Sequence, residues 1–183
     1  MQVNLSLYNN LGYNPGANIF IRTLWYCTNI IFFKNSLNIS SLTKVYLLKL
    51  FGTKIGKNIT IKPSVNIKYP WNLEIGNNVW IGENVWIDNL TKVKIGNNVC
   101  ISQGAMLLCG NHNYKKRTFD LITGEINLKD GCWVGAKSTV CPNVTLFENS
   151  ILTVGSIATY DLESNGIYQG NPAKKIRTRI FEN

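Results

Sequence analysis

From residue 55 onward, aliphatic residues recur every six positions along the chain. Two steps of two residues shift the frame, and about fifteen residues without the rhythm interrupt it near residue 112. The fifteen phased positions are all Ile, Leu or Val, although these types make up only 50 of the 183 residues. They are Ile55, Ile61, Ile67, Leu73, Ile75, Ile81, Ile87, Val93, Ile95, Ile101, Leu107, Val134, Val140, Leu146 and Leu152. A period of six predicts a parallel β-helix with three six-residue faces per turn and the aliphatic side chains stacked inward.

A second row of smaller or β-branched residues follows many of these positions by four residues. It consists of Ile59, Val65, Val79, Val85, Val99, Ala105, Ser138, Val144 and Ser150. Segments such as Gly76-Asn77-Asn78 lie between the faces, and Gly and Asn tolerate the positive φ that tight corners require. An antiparallel sandwich is the alternative, but it would show turns roughly every 8–12 residues and an alternation of period two. The sequence therefore predicts an all-β core of hexapeptide coils.

His112, the only histidine in the chain, lies where the rhythm breaks. The break covers about residues 109–127 and predicts an excursion from the coil. Imidazole has an unperturbed pKa of about 6.5, which suits general-base catalysis near neutral pH. The alternative is a surface-loop histidine without a catalytic role.

Residues 17–50 differ in character from the coil. Residues 19–33 (IFIRTLWYCTNIIFF) are apolar and aromatic, but this stretch is too short and too polar to span a bilayer. Residues 40–51 follow, with Ser40 or Ser41 as the N-cap. We therefore predict two helices, which either cap the open end of the coil or contact a membrane interface, and the two interpretations are compatible.

These patterns divide the chain into three parts. We predict an N-terminal helical extension over residues 1–51, a parallel β-helix over 52–167, and a basic C-terminal tail over 168–183.

The net charge of +9 indicates a negatively charged partner. Lys and Arg are spread along the chain except in the segment KKIRTR at 174–179, and no nucleic-acid-binding motif occurs. We therefore expect no nucleic-acid partner. A phosphorylated small cofactor or an anionic membrane surface fits this distribution better.

The five cysteines are odd in number and contain no C-x-x-C pair. Residues 1–16 are polar and Asn-rich, without the basic start of a signal peptide. We therefore expect reduced thiols and a cytoplasmic location. If residues 17–50 touch a membrane, the protein would lie at its inner face. The cysteine spacing and the lack of further histidines disfavour zinc, and we expect no metal.

Several segments carry more information than the repeat itself. They are residues 63–65 (PSV), 69–71 (YPW), 85–90 (VWIDNL), 95–105 (IGNNVCISQGA), 110–114 (GNHNY), 119–121 (FDL), 131–136 (GCWVGA) and 169–173 (QGNPA). In these segments, and over about residues 50–180, the chain resembles the hexapeptide-repeat acetyltransferases, most of all the colanic acid biosynthesis acetyltransferases of exopolysaccharide gene clusters. Asn113, where an acidic residue is common, and Tyr160, where Lys is common, depart from the pattern.

The resemblance implies a left-handed coil and an acetyl-CoA-dependent O-acetyltransferase that acts on a sugar hydroxyl of a surface polysaccharide or exopolysaccharide. His112 would be the general base of a direct transfer, because a sugar hydroxyl is a poor nucleophile until its proton is removed.

The resemblance also implies a coenzyme A channel, lined by Trp133. Gly135, Ala136, Gly155 and Ser156 lack bulk, so that backbone amides could approach the pantetheine arm. Asn171-Pro172 predicts the start of a short C-terminal helix. The basic residues that follow, which could meet the phosphates, are Lys174, Lys175, Arg177 and Arg179. The alternatives are a core or corner aromatic for Trp133 and a solvated basic tail.

For the acceptor, the family suggests contacts near Asn84, Asp88 and Asn89, one turn before His112. Asn111 and Tyr114, beside His112 on the excursion, are further candidates. Structural corner asparagines are the alternative reading of this group.

The expected partners are a saccharide acceptor, which the aromatic N-terminal helices favour as lipid-linked, and two further copies of the chain. In the family, active sites lie at the junctions of a homotrimer. A small acceptor (serine, a free sugar or an antibiotic), N-acetylation of an amino sugar and a non-catalytic β-helical scaffold remain as rivals. A γ-class carbonic anhydrase is excluded, because it needs three histidine ligands.

Overall fold

A computed structural model describes residues 2–8 and 12–182. It shows a parallel β-helix whose first turns are covered by helices, which confirms the predicted fold class of a hexapeptide coil with N-terminal helices.

Three parallel sheets form the sides of the coil. The first sheet contains β1 (Lys54–Ile55), β4 (Leu73–Ile75), β7 (Val93–Ile95), β12 (Ile126–Leu128) and β15 (Thr145–Leu146). The second contains β2 (Thr60–Ile61), β5 (Trp80–Ile81), β8 (Cys100–Ile101), β13 (Trp133–Val134), β16 (Ile151–Leu152) and β18 (Gly166–Gly170). The third contains β3 (Asn66–Ile67), β6 (Trp86–Asp88), β9 (Met106–Leu108), β14 (Thr139–Val140) and β17 (Ile157–Ala158). Successive strands visit the sheets in turn and make five complete turns, and β18 follows in a partial sixth.

The core is the aliphatic ladder that the sequence predicts. Fourteen of the fifteen phased residues are buried, and only Ile55, on the first strand, is half-buried. Eight of the nine residues in the second row are also buried. The six-residue period therefore identifies the inward-facing positions nearly one by one.

At the corners, glycine and asparagine have different tasks. Asn58, Asn78 and Asn98 adopt φ of 56–57° and hydrogen-bond to one another through their side chains, turn on turn. At Gly76, by contrast, an added Cβ would lie 2.7 Å from the carbonyl carbon of Gly96. Asparagine supplies the left-handed conformation, and glycine lets consecutive turns approach.

Both predicted N-terminal helices are present. The first, α1 (Ile19–Thr28), continues as a π-helix over Asn29–Phe33, and the second is α2 (Ser41–Leu50). Asn18 and Ser40 are their N-caps, each accepting a hydrogen bond from a backbone N–H three residues later.

The inner faces of these helices cover the beginning of the coil. Trp25, Phe33 and Leu48 are buried, and the Trp25 indole N–H donates to Ile67 O at 2.9 Å. Lys44 is also buried, and its ammonium donates to the carbonyls of Asn38, Ile61 and Lys62. The helices therefore cap the first turn of the coil, which confirms the first of the two interpretations of residues 17–50.

The predicted C-terminal helix is wrong. Residues 173–178 form a strand, β19 (Ala173–Thr178), which pairs antiparallel with β18. Asn171-Pro172, interpreted as a helix start, instead forms the turn between the two strands and has a cis peptide bond. Pairing with β19 satisfies an edge of β18 that a terminal helix would have left open.

None of the helices in residues 2–8 and 12–182 is both long and apolar enough to cross a membrane. All five cysteines are free thiols.

Candidate active site

His112 lies on a β-hairpin that leaves the coil after β9. The strands are β10 (Gly110–His112) and β11 (Leu121–Thr123), and His112 pairs with Leu121 in the antiparallel register. The coil resumes at β12, so the hairpin occupies a corner between the third and first sheets. The excursion is therefore an ordered element that presents a half-buried imidazole.

Phe119 orients this imidazole in two ways. Its ring stacks on the His112 ring at a centroid distance of 4.4 Å and an interplanar angle of 5°. Its carbonyl oxygen lies 2.9 Å from His112 Nδ1. Since a carbonyl can only accept, Nδ1 is the donor, so the neutral ring has its lone pair on Nε2, which is the tautomer that a general base requires.

The backbone of Phe119 is itself unusual. Its φ is 51°, in the left-handed region that a bulky residue rarely adopts. Such a conformation costs roughly 1–3 kcal/mol and persists only where the surroundings enforce it. Here it belongs to the turn whose carbonyl meets the imidazole.

His112 lines a cavity of about 650 Å³ between the hairpin, the N-terminal segment and α1. The other lining residues are Tyr8, Tyr13, Pro15, Arg22, Lys68, Tyr69, Asp88, Leu90, Leu108, Gly110 and Leu121. Aromatic rings and a few polar groups surround the space, a lining suited to a sugar-sized molecule.

Three charged side chains face this cavity. Asp88 is buried, and Lys68 Nζ lies 3.1 Å from its Oδ1, an ion-pair contact whose angles fall outside those of a hydrogen bond. Arg22 Nε is buried without a hydrogen-bond partner among the described residues. These groups can still bond to an incoming ligand.

Tyr13 closes the cavity from the N-terminal side. Its hydroxyl donates to Leu90 O at 2.9 Å. Burial raises the pKa of Tyr13 well above its usual range, so the phenol stays neutral and acts as a donor.

Of the five residues predicted to bind the acceptor, only Asp88 lines the cavity. Asn89 bonds the backbone of Tyr69 through both ends of its amide, and Asn84 occupies an exposed corner with φ of 58°. Asn111 is exposed and accepts from the His112 backbone N–H, and Tyr114 is 74% exposed on the hairpin. Asn84 and Asn89 thus have the structural roles that the sequence left open.

The residues predicted to bind coenzyme A lie apart from the cavity. Trp133, 45% exposed on β13, donates from Nε1 to Ser102 Oγ at 2.9 Å. Gly155 N–H donates to Ala136 O, so the two small-residue corners stack on adjacent turns. None of these residues lines the His112 cavity within one chain.

Ser156 and Gly135 in this group have structural partners. Ser156 is buried, and its Oγ accepts from Gly170 N–H. At Gly135 an added Cβ would meet the next turn at 2.7 Å. At Gly155, by contrast, such a Cβ has nothing within 4 Å, so the space outside it is open.

The basic residues Lys174, Lys175 and Arg177 lie on β19 rather than on a helix. Lys175 pairs with Glu163 at 2.7 Å, and this hydrogen bond raises the pKa of Lys175. The hydrogen bond from Gly170 to Ser156 places the turn before β19 beside the small-residue corner.

Sequence reasoning missed Arg22, Lys68 and Tyr13 as parts of the site. Tyr13 meets Leu90 across 77 positions of sequence, and no repeat connects the N-terminal segment to the coil. Among the described residues, no three His, Cys, Asp or Glu side chains are grouped so as to hold a metal ion.

Comparison with known proteins yields clear relatives, although no family model matches the chain. The WcaF protein of Escherichia coli K12, whose name assigns it to acetyl transfer in colanic acid biosynthesis, is 34% identical over 90% of this chain and 91% of its own. The galactoside O-acetyltransferase of the same organism is 30% identical over 72% of this chain and 66% of its own. A hexapeptide-repeat acetyltransferase of Vibrio cholerae, solved with acetyl-CoA, superposes with a TM-score of 0.77 at 20% identity over 87% of both chains.

Proposed function

The chain belongs to the hexapeptide-repeat acetyltransferases, and we propose that it transfers the acetyl group of acetyl-CoA to a hydroxyl of a saccharide in surface polysaccharide or exopolysaccharide synthesis. The observation that carries the proposal is His112, held by Phe119 in the tautomer of a base, at the wall of a sugar-sized cavity. The relationship to WcaF supports the polysaccharide acceptor.

In this reaction His112 Nε2 removes the proton of the acceptor hydroxyl as its oxygen attacks the thioester carbonyl carbon. The new C–O bond forms a tetrahedral oxyanion. Its collapse breaks the C–S bond, and the thiolate of coenzyme A takes the proton from the imidazolium. The carbonyl of Phe119 stabilises that imidazolium by accepting from Nδ1 throughout.

The buried thiol of Cys109 supports direct transfer without an acetyl-enzyme. Cys109 is only three residues from His112, but it is fully buried in the core, and burial raises the pKa of its thiol to about 12. A nucleophilic cysteine needs a low pKa and access to substrate. Cys109 has neither.

Acetyl-CoA supplies the activated acetyl group, and the open corner at Gly155 fits its pantetheine arm. Trp133, Gly135, Ala136 and Ser156 complete that corner in the proposal, and Lys174, Lys175 and Arg177 on the adjacent strand take the phosphates. These residues are separated from His112 in one chain, which supports a homotrimer whose junctions join His112 of one chain to the coenzyme corner of the next.

The acceptor is tested in the host cell. The surface polysaccharide is isolated from cells with and without the gene, and from cells with the His112→Asn gene, and its acetyl esters are measured by NMR. We expect one set of acetyl signals to disappear in both altered strains. Unchanged acetylation would remove the polysaccharide assignment.

The galactoside relative favours a second candidate, a small free sugar. Purified protein with acetyl-CoA and a panel of galactosides, serine and amino sugars separates the two. Rapid release of coenzyme A with a free sugar, combined with unchanged cell-surface acetylation, would select the small acceptor.

A further inference from the structure

The two N-terminal helices are apolar on both faces, and only one face is covered by the coil. Their inner faces bury Trp25, Phe33 and Leu48. On the opposite side, large apolar side chains stand in solvent, among them Phe20, Leu24 and Ile31 on α1 and the π-helix and Leu42, Tyr46 and Leu50 on α2. We call these six residues the outer helical face. Their exposed fractions run from 48% to 85%.

The spacing shows that these are stripes rather than scattered positions. Phe20, Leu24 and Ile31 are separated by four and seven residues, and Leu42, Tyr46 and Leu50 by four each, so each set follows one side of its helix. Leu37 and Ile39, in the connection between the helices, are 86% and 79% exposed. Neighbouring exposed apolar side chains of this kind mark a surface that binds a partner, so the outer helical face calls for one.

The charge of this part of the chain indicates the chemistry of that partner. Residues 19–50, which hold both helices and their connection, contain four Lys or Arg and no Asp or Glu. Lys34, at the end of the π-helix, and Lys49, in the last turn of α2, are both exposed. The partner is therefore apolar and negatively charged.

A second copy of this chain, bound through a two-fold contact, does not meet that description. In a two-fold contact the same surface faces itself, so two acid-free, basic segments would be brought together. An anionic lipid bilayer supplies both properties at once, with acyl chains below a negatively charged headgroup layer.

We propose that the outer helical face docks on an anionic membrane surface, with its apolar side chains among the acyl chains and Lys34 and Lys49 at the headgroups. Docking does not depend on the proposed acetyl transfer. Docking does determine the distance of the His112 cavity from the membrane, because Arg22, on the inner side of α1, is part of the cavity wall. The active-site cavity is therefore held close to the bilayer.

The test is co-flotation of the full chain with lipid vesicles. Wild-type protein should float with vesicles of phosphatidylcholine mixed with phosphatidylglycerol, remain behind with pure phosphatidylcholine, and be released by salt. Phe20→Ser with Leu24→Ser should lower the partition to anionic vesicles at least tenfold. The matched control is Val154→Ser with Ile180→Ser, which alters two apolar residues that are 68% and 86% exposed away from the helices and should change nothing.

A charge pair gives a second readout that leaves the apolar face intact. Lys34→Glu with Lys49→Glu should weaken anionic-vesicle binding, while Lys94→Glu with Lys129→Glu, at exposed coil positions, should not. Equal binding of the outer-face and control variants, or binding indifferent to lipid charge, would overturn the proposal. So would a fall in oligomeric mass by light scattering in Phe20→Ser with Leu24→Ser, which would make the face a contact between copies.

Discussion

The imidazole of His112 contacts two aromatic rings, with Phe119 stacked at 4.4 Å and Tyr8 tilted at 5.8 Å. This position lies off the aliphatic ladder, so the residue can be changed without opening a cavity in the core. A substitution of His112 can therefore change the rate of catalysis with little change in the stability of the fold.

Replacing His112 with Asn should remove the base but keep a side-chain N–H near the place of Nδ1. We expect kcat to fall about 10²–10⁴-fold, the usual contribution of a general base. His112→Ala should lose as much activity and also up to about 1 kcal/mol of stability from the lost ring packing. Steady-state assays and thermal unfolding measure the two effects, and a fully active Asn variant would refute the base assignment.

Phe119 should act as a positioning residue. Phe119→Ala keeps the backbone carbonyl but loses the ring stack, which is worth about 0.5–1.5 kcal/mol. We therefore expect kcat to fall roughly threefold to tenfold with little change in KM for acetyl-CoA. Phe119→Tyr, which retains the ring, should restore the rate, and Ile122→Ala on β11 serves as the hairpin control. A Tyr variant as slow as the Ala variant would contradict the stacking role.

Cys109→Ala should retain most of the activity, because a buried thiol with a raised pKa cannot serve as the nucleophile. It should cost about 1 kcal/mol of stability through the small cavity that it leaves. Initial-rate plots with both substrates varied should intersect. Parallel lines together with an inactive Ala variant would instead indicate an acetyl-cysteine intermediate.

At the residue scale, the sequence predicts the catalytic candidate of the site better than it predicts the other residues that line the cavity. His112 and Asp88 follow from the local pattern and the family resemblance, and both line the cavity. Tyr13 reaches it through a hydrogen bond to Leu90, 77 positions later, and Arg22 reaches it because α1 packs on the first turn of the coil. Contacts of that range leave no periodic trace in a single sequence.

At the scale of elements, α2 is fastened by a buried cation. Burial lowers the pKa of Lys44, while three backbone carbonyls accept hydrogen bonds from its ammonium. Two of these carbonyls belong to the coil, on Ile61 and Lys62. The lysine therefore joins the helical cap to the first turn.

Lys44→Met should keep the aliphatic packing but leave these carbonyls without their donor. We expect a loss of about 1–3 kcal/mol, seen as a lower midpoint of thermal unfolding. Lys49→Met, on the exposed side of the same helix, is the matched control and should change the midpoint little. Equal midpoints for the two variants would show that the buried hydrogen bonds contribute nothing net.

Elements that depend on a period were predictable, and elements that depend on a turn were less so. The aliphatic ladder follows from the repeat, and Ser40 is one of the two N-caps that the sequence indicates. Asn171-Pro172 misleads because an Asn-Pro pair suits a helix start as well as a tight turn between strands. The open edge of β18 decides between them, and it exists only in the assembled sheet.

At the scale of the molecule, the separation of His112 from the proposed coenzyme corner predicts active sites shared between chains. Light scattering should give about three times the 20.6 kDa chain mass. A monomer at micromolar concentration would contradict the trimer.

Co-expression of two inactive variants tests the sharing directly. In a trimer of His112→Asn chains and Lys174→Glu/Arg177→Glu chains, one junction can combine an intact histidine with an intact coenzyme corner. Mixed assemblies should therefore regain part of the activity that neither variant has alone. No recovery, in assemblies shown to be mixed, would place the whole site in one chain.

The N-terminal residues 2–8 and 12–16 form the roof of the cavity, and their contacts span more of the sequence than the contacts within the coil do. Asn4 N–H donates to Arg117 O, and Tyr13 bonds Leu90 across 77 positions, whereas the corner asparagines bond across 20. Long-range closures carry a larger entropy cost, so they form late in folding and are the first to be lost in local unfolding. The amide protons of Asn4 and its neighbours should therefore exchange with solvent long before those of the coil. A bulky acceptor would then enter by brief detachment of this roof, at a rate set by the chain's own opening rather than by diffusion.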